Sequence, residues 1–518
     1  MAQAAPAGGL PAGGRAMDPG HVLAAWAPPG DEASGGATTD EDSEFSEDAS
    51  SGTSESDFRL ADLSLASPGI LRATTAAVPL ARLGRLLRRS MGGVVARGDC
   101  KDHYVKSFAT GHFDEFWSHS WHGESWQKVC TLLIYYNSVP GLAAGCTAAA
   151  LGASTQFLGL HMNVEQASLM TLLLGTLGFT LATVFWRSPR RVFLDSVCIC
   201  QADAELKAQG IVSLGGFLRH SRAMLLLWDA SYCGRLWCVF EQAAFYFLQK
   251  ADPAKRIYVR PTFQGAVAFM FMTVLFTERL LLLTVSILTG VKWASLENSI
   301  SGVFLLAVVP YYRRISRSVH ALSKQVKNFS PERAECFCCS HGHRHPDTQE
   351  LIPCDRRLVE ASICAWFGSL EDFRQFVLVE MRPKFKVEFC VPYRIALLVV
   401  MPVVWEQFGN FAWVLSTGNT ENFAECLALY ILTWVTAYPL VVECSLRASE
   451  FFRAKSKHWL LDIARTLAAV AVSWAFKILL TKAFWGMYHL PGGWLRVGVP
   501  FTVLPTLTLL VYGQRLLA

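Results

Sequence analysis

Apolar residues along the chain gather into runs long enough to cross a bilayer. A hydrocarbon core of about 30 Å takes about 20 helical residues. About eight candidates answer to that length: 132–153, 166–186, 266–290, 299–312, 394–415, 423–442, 459–481 and 497–513. The fourth and eighth are short, and Glu278 and Arg279 interrupt the third. The pattern predicts an α-helical multi-pass membrane protein.

The polar connections sort by charge. Linkers near 154–165 and 416–422 carry no Lys or Arg, and those near 291–298 and 482–496 carry few. The opposite set holds Arg187, Arg190 and Arg191, then Lys255, Arg256 and Arg260. It continues with Arg313, Arg314 and Arg317, and later Arg447, Arg453, Lys455 and Lys457. Basic loops stay on the cytosolic side, so eight spans place both termini there. Asp462 and Arg465, three apart, are spaced so that they can pair on one helix face. Glu278, Arg279, Glu406 and Lys477 also fall in or near spans, where ionisable groups are rare and can mark a pathway.

Composition agrees. Of 518 residues 52% are hydrophobic and only 17% charged, against about a quarter in soluble domains. The net charge of +5 gives no case for a nucleic-acid partner; the partner expected first is the lipid bilayer. The 15 Cys lack disulfide-scaffold spacing and fit a reducing compartment.

These signals divide the chain. Residues 1–78, Ala/Gly/Pro-rich and then acidic and Ser-rich, are expected to be a disordered tail with no visible signal peptide. Residues 79–100 hold Leu80, Leu83, Leu86 and Leu87 among arginines, a basic amphipathic segment that can lie on an anionic membrane face or pack on the domain after it. Residues 101–131 and 187–265 are soluble segments on either side of a transmembrane hairpin at 132–186. Further transmembrane pairs lie at 266–312, 394–442 and 459–518. They are separated by a Cys/His-rich loop at 313–393 and a basic loop at 443–458.

The soluble segment reads as alternating strand and helix. Val192–Val197 is an apolar strand ending near Asp195; Glu205–His220 is helical; Ala223–Trp228 is a second buried strand. After it come a loop at Ser231–Leu236, a helix at Trp237–Gln249 and a strand at Arg256–Thr262. Such alternation indicates a doubly wound α/β domain with its site beyond the carboxyl ends of the strands. Asp195 and Asp229 fall at that edge. Glu241 is expected on the first helical turn beyond it, as a helix-start carboxylate or a group facing a cleft.

The run FLDS…LKAQGI…FLRHSRAMLLLWDASYCGRLWCVFEQA resembles the Toll/interleukin-receptor (TIR) domain. The matching positions include Phe193 and Asp195, Leu206, Gly210, Ser221 and Tyr232, with Trp237, Cys238 and Glu241 giving a W-C-x-x-E motif. Phe116-Trp117-Ser118-His119 resembles the opening strand, and RIYVRPTF a later one. The stretch FLDSVCICQ is similar to the heterokaryon-incompatibility domain, with Cys200 in place of its Asn. The layout is also similar to that of membrane proteins of unicellular algae. The TIR resemblance implies that residues 101–131 and 187–265 form one domain, a signalling domain that self-associates into a homo-oligomer. In enzymatic members it also implies cleavage of NAD at the nicotinamide glycosidic bond, with Glu241 as the catalytic carboxylate. Phe116, Trp121 and Asp195 are the candidate NAD-binding residues; packing is the alternative for the two aromatics.

The loop 313–393 holds Cys336, Cys338, Cys339, His341, His343, His345 and Cys354. Thiolates and imidazoles suit tetrahedral zinc, although the spacing is not that of paired C-x-x-C fingers; lipidation or plain reduced thiols are the alternatives. Residues 356–373 read as a helix packing on the soluble domain or the spans. Three functional classes remain: a membrane-anchored signalling protein that associates or cleaves NAD, a transporter or channel with a cytosolic regulatory domain, and a membrane scaffold.

Overall fold

The computed structural model describes residues 60–88, 103–160, 162–291, 293–344, 349, 351, 354–382, 392–418, 423–488 and 493–516. Most of the expected tail, and residues 89–100 of the basic segment, lie outside them. Within them sits a six-stranded mixed sheet: β1 (Arg72–Thr75), β2 (Phe108–Ala109), β3 (Phe113–His119), β4 (Arg191–Phe193), β5 (Ser221–Trp228) and β6 (Arg256–Pro261). The strands lie in the order β2-β1-β4-β3-β5-β6. β4, β3, β5 and β6 run parallel, and β1 and β2 add antiparallel at one edge.

β1 corrects the expectation for residues 1–78. The segment from Leu60 to Thr75 is folded, and Thr74 pairs with Val192. Its sequence gives little warning: an arginine, an alanine and two threonines become a strand because β4 offers an open edge. The basic segment is also not one helix. Ala77–Gly84 kinks at Arg82 and Leu83, both with positive φ, and Leu80, Leu86 and Leu87 are buried while Leu83 is exposed. Packing, not a membrane face, accounts for most of its leucines.

The central parallel strands, β3 and β4, are neighbours in space but about 70 residues apart in sequence, Phe116 pairing with Phe193. Two helices fill the gap: α1 (Ser125–Ser154) and α2 (Val164–Phe185). At about 1.5 Å per residue both are long enough to cross a hydrocarbon core. Gly159, at φ +91°, takes the left-handed turn between them, and Asn163 with Gln166 forms a reciprocal cap at the start of α2. The hairpin is sewn to the sheet at its base. Tyr135 and Tyr136 donate to Glu115 on β3, Trp117 Nε1 donates to Tyr136 at 2.8 Å, and Thr131 donates to the Thr262 carbonyl at 2.7 Å.

After β4 come α3 (Ala204–Val212) and α4 (Leu214–Arg219), where one helix is expected from sequence. α5 (Leu236–Ala251) joins β5 to β6. The remaining helices are α6 (Phe263–Thr289), α7 (Trp293–Lys327), α8 (Asp355–Phe367), α9 (Leu370–Phe376), α10 (Tyr393–Val399), α11 (Met401–Ser416), α12 (Phe423–Leu432), α13 (Tyr438–Phe451), α14 (Trp459–Tyr488) and α15 (Gly493–Leu516). Among the described residues four stretches are long and apolar enough to cross a membrane: Ser125–Leu158, Val164–Phe185, Phe263–Thr289 and Trp459–Ala483. The pair α10 and α11, bent by 50°, makes a fifth if it is one span. The run 299–312 is part of α7, which continues into a basic half. The run 423–442 is divided among α12, a π-helical turn and α13, and 497–513 lies in α15 with Pro500 and Pro505.

Small residues let these helices close on one another. A Cβ on Gly265 in α6 would fall 2.2 Å from the backbone of Cys130 and Thr131 in α1, and one on Gly409 in α11 would fall 2.3 Å from that of Ala167 in α2. Backbone cannot yield as a side chain can, so Gly265→Leu is expected to cost at least about 1–3 kcal/mol. A lowered unfolding temperature in detergent checks this; an unchanged one means the helices are not held this close.

Candidate functional site

The carboxyl ends of β3, β4 and β5 bring together residues that lie far apart in sequence. Alternation along β3 puts Ser118 on the face opposite Trp117. Ser118 Oγ donates to Glu241 Oε2 at 2.5 Å and stands 2.5 Å from the Tyr232 hydroxyl. Tyr232 is held by stacking on Trp228, with ring centroids 4.8 Å apart. Glu241 lies one turn deeper than expected. α5 begins at Leu236, whose N–H bonds to the Glu335 carbonyl at 3.1 Å, so Glu241 falls on the second turn and does not serve as a helix-start carboxylate.

The Glu241 carboxyl is enclosed on most sides and only partly reaches solvent. Burial pushes it up to about 8, the Ser118 hydrogen bond opposes that rise, and the nearby Asp195 charge adds to it. A carboxyl so placed is neutral over much of the physiological range and ionises just above it.

Asp195 opens a short helical turn after β4. It accepts from the Ser196 N–H at 2.7 Å and from Trp121 Nε1 at 2.9 Å. The Trp121 indole meets His119 edge-on at 4.5 Å. Burial pushes His119 down to about 4, so it is neutral at pH 7. Asp229 accepts from the Ser231 N–H and hydroxyl, while Ser231 Oγ also reaches Ser120 Oγ at 2.7 Å. A Cβ on Gly123 would fall 1.8 Å from Asp229 Oδ2, so the glycine makes room for that carboxylate. Lys128, buried at the base of α1, donates to the Ser120 carbonyl. Two buried polar atoms here, Asp229 Oδ2 and His119 Nε2, have no hydrogen-bond partner among the described residues.

Of the residues expected at the site, the structure gathers Glu241, Trp121 and Asp195 at this edge and leaves Phe116 out. Phe116 is fully buried and stacked on Phe193 with centroids 4.6 Å apart, because its strand position points into the sheet's aromatic core. Sequence reasoning places Asp229 at this edge, as found, but misses Ser118, Ser120, Lys128, Ser231 and His119 as site residues. For Ser118 the usable signal is its position two before Ser120 at a strand end. For Lys128 it is a lone cation at the foot of an apolar run.

In the Cys/His loop, Cys338, Cys339, His343 and Cys354 place their ligand atoms within 4.8 Å of one another. Cys336 joins Cys338 and Asp355 in a second, overlapping group. His341 is not part of either. It is exposed, its Nδ1 lies 2.9 Å from the Phe337 carbonyl and its ring lies against Phe337. His345 lies outside the described residues. The expected helix beyond the loop is split into α8 and α9, and it packs on the sheet side: Trp366 stacks on Phe247 and meets Phe240, both on α5.

A third group lies among the apolar helices. Arg279 reaches Glu297 at 2.7 Å and Glu406 at 3.6 Å, while Lys477 reaches Glu278 at 3.4 Å and Glu297 at 3.6 Å. Glu278, Arg279, Glu297, Ser301, Gln407 and Lys477 line a cavity of about 170 Å³. Asp462 pairs with Arg313 at 2.9 Å and not with Arg465, whose guanidinium bonds to the Ala454 carbonyl.

No protein-family model, curated protein or solved structure matches the chain.

Proposed function

We propose that the chain is an integral membrane signalling protein whose TIR-like α/β domain faces the cytosol and cleaves NAD at the nicotinamide bond, with self-association as part of its action. The observation that carries this reading is Glu241, set against Ser118 and Tyr232 at the carboxyl edge of the parallel strands. Taken in chain order those strands lie 2-1-3-4, the doubly wound order whose ligands sit at that edge. In the proposed mechanism the carboxylate of Glu241 steadies the positive charge that grows on the ribose as nicotinamide leaves, or orients the ribose hydroxyls. Ser118 positions it. Trp121 and Asp195, already in contact, lie at the same edge.

With all eight apolar runs spanning, the basic loops and both termini lie on the cytosolic side. The test is NAD consumption by the full chain in nanodiscs beside Glu241→Ala. The reading expects loss of at least about 100-fold in rate with the protein still folded and unchanged in oligomer size. Equal NAD loss in both proteins removes the enzymatic part; a monomer at all concentrations removes the self-association.

The charged cavity favours a second reading, a channel or transporter regulated by the α/β domain. Two carboxylates and two cations line it, and a third carboxylate, Glu406, pairs with Arg279 beside it, an arrangement suited to holding a proton or small cation. Proteoliposomes test it: cation or proton flux that Glu278→Gln abolishes supports transport, and sealed vesicles with wild-type protein argue against it.

A further inference from the structure

We propose that Cys338, Cys339, His343 and Cys354 bind one structural zinc ion, and that the resulting knot clamps the start of α5. The proposal stands apart from NAD cleavage, since it rests on the donor set and on backbone contacts.

The geometry fits the metal. Cys338 and Cys339 Sγ are 3.9 Å apart, and so are those of Cys339 and Cys354. Thiolates about 2.3 Å from a tetrahedral zinc lie about 3.8 Å from one another. Neighbouring cysteines are awkward partners in extended chain. Here the Phe337–Ser340 helical turn and the bend after it bring the donors round. His343 takes φ +59°, unusual for a residue with a side chain, and its N–H returns to the Cys338 carbonyl at 2.8 Å. That conformation folds the imidazole back over the two thiols. Three sulfurs and one nitrogen make a closed donor set with no vacant position, the pattern of a structural and not a catalytic zinc.

The knot touches α5 from two sides. Before it, Glu335 pairs with the chain entering α5: its N–H bonds to the Gly234 carbonyl at 2.7 Å, its carbonyl accepts from Leu236, and its carboxylate lies 3.5 Å from Arg235. After it, Asp355 directly follows Cys354 and accepts from Trp237 Nε1 at 3.2 Å. Cys336 stands beside the ligands, 3.8 Å from the same carboxylate. A segment about 100 residues downstream thus sets where the Glu241 helix begins.

The full chain, purified in detergent, should retain about one zinc per chain after a chelator wash. Cys354→Ser and His343→Ala should each lose it, whereas Cys364→Ser, on α8 but outside the cluster, should keep it. Because a ligand variant can fail to fold, wild-type protein exchanged with cobalt(II) supplies a second measurement. It should show the visible bands of a tetrahedral thiolate site and lose them when zinc is added. Stripping the metal should raise amide exchange across 235–241 about tenfold while leaving β3 and β5 protected. Absence of both bound zinc and cobalt bands overturns the site, as does full metal content in the two ligand variants. Metal loss that leaves exchange at 235–241 unchanged overturns the clamp.

Discussion

Arg279→Met is expected to destabilise the helical bundle by about 3–5 kcal/mol, the usual effect of removing one partner from a buried charge network. Arg279 is only 3% exposed, and Glu406 beside it is equally enclosed. The guanidinium is the one cation contacting Glu406 among the described residues, and it shares Glu297 with Lys477. Losing it leaves Glu406 desolvated without a counter-charge. Removing both groups is a milder change, because an apolar pair of similar volume needs no compensation. The double variant Arg279→Met with Glu406→Leu should therefore recover most of the loss. Unfolding in detergent measures both. If the double variant is as unstable as the sum of the singles, the network is not acting as a coupled unit.

Glu241→Gln should become more stable than wild type as pH rises. The folded carboxyl titrates near 8 and its ordinary value is 4.5. The folded state therefore holds a proton that the unfolded chain has already released. Stability from this group is fully present below about 4.5, falls as pH climbs to about 8, and is level above that. Gln keeps a hydrogen-bond acceptor for Ser118 and has no proton to lose. Each full pH unit in such a window is worth up to about 1.4 kcal/mol. Partial solvent screening at this partly exposed site lowers the expected total to about 1–2 kcal/mol. Unfolding curves for the two proteins at about pH 5 and pH 9 read the difference. Parallel behaviour across that range means Glu241 is ionised in the folded protein.

Features legible in the sequence are those written in local pattern. Apolar runs locate α1, α2, α6 and α14, the strand-helix alternation locates β4 to β6, and β3 is located by the family resemblance. The two halves of the sheet, separated by the hairpin, are expected to rejoin, and the Phe116–Phe193 pairing joins them. The rule about strand ends places Asp195 and Asp229 at this edge, whereas Glu241 and Trp121 enter as site residues through the family resemblance.

The features hidden from sequence depend on distant partners. β1 is a strand because Val192 offers it an edge. The start of α5, and so the depth of Glu241, is set through Glu335, which carries no local signal. Asp462 has Arg465 three residues away, yet Arg313 reaches it from another helix. Glu297 is inconspicuous between two runs, although it sits between both cations of the cavity. Phe116 lies in the strand that supplies Ser118, but a difference of two positions separates a core residue from a site residue.

The most direct test of the proposed function is the pH dependence of nicotinamide release by the full-length protein in nanodiscs. The proposal expects release that rises with pH as Glu241 ionises, is half-maximal near pH 8 where its carboxyl titrates, levels off above that, and is absent with Glu241→Ala. No nicotinamide release at any pH, or release unaffected by that substitution, would contradict it.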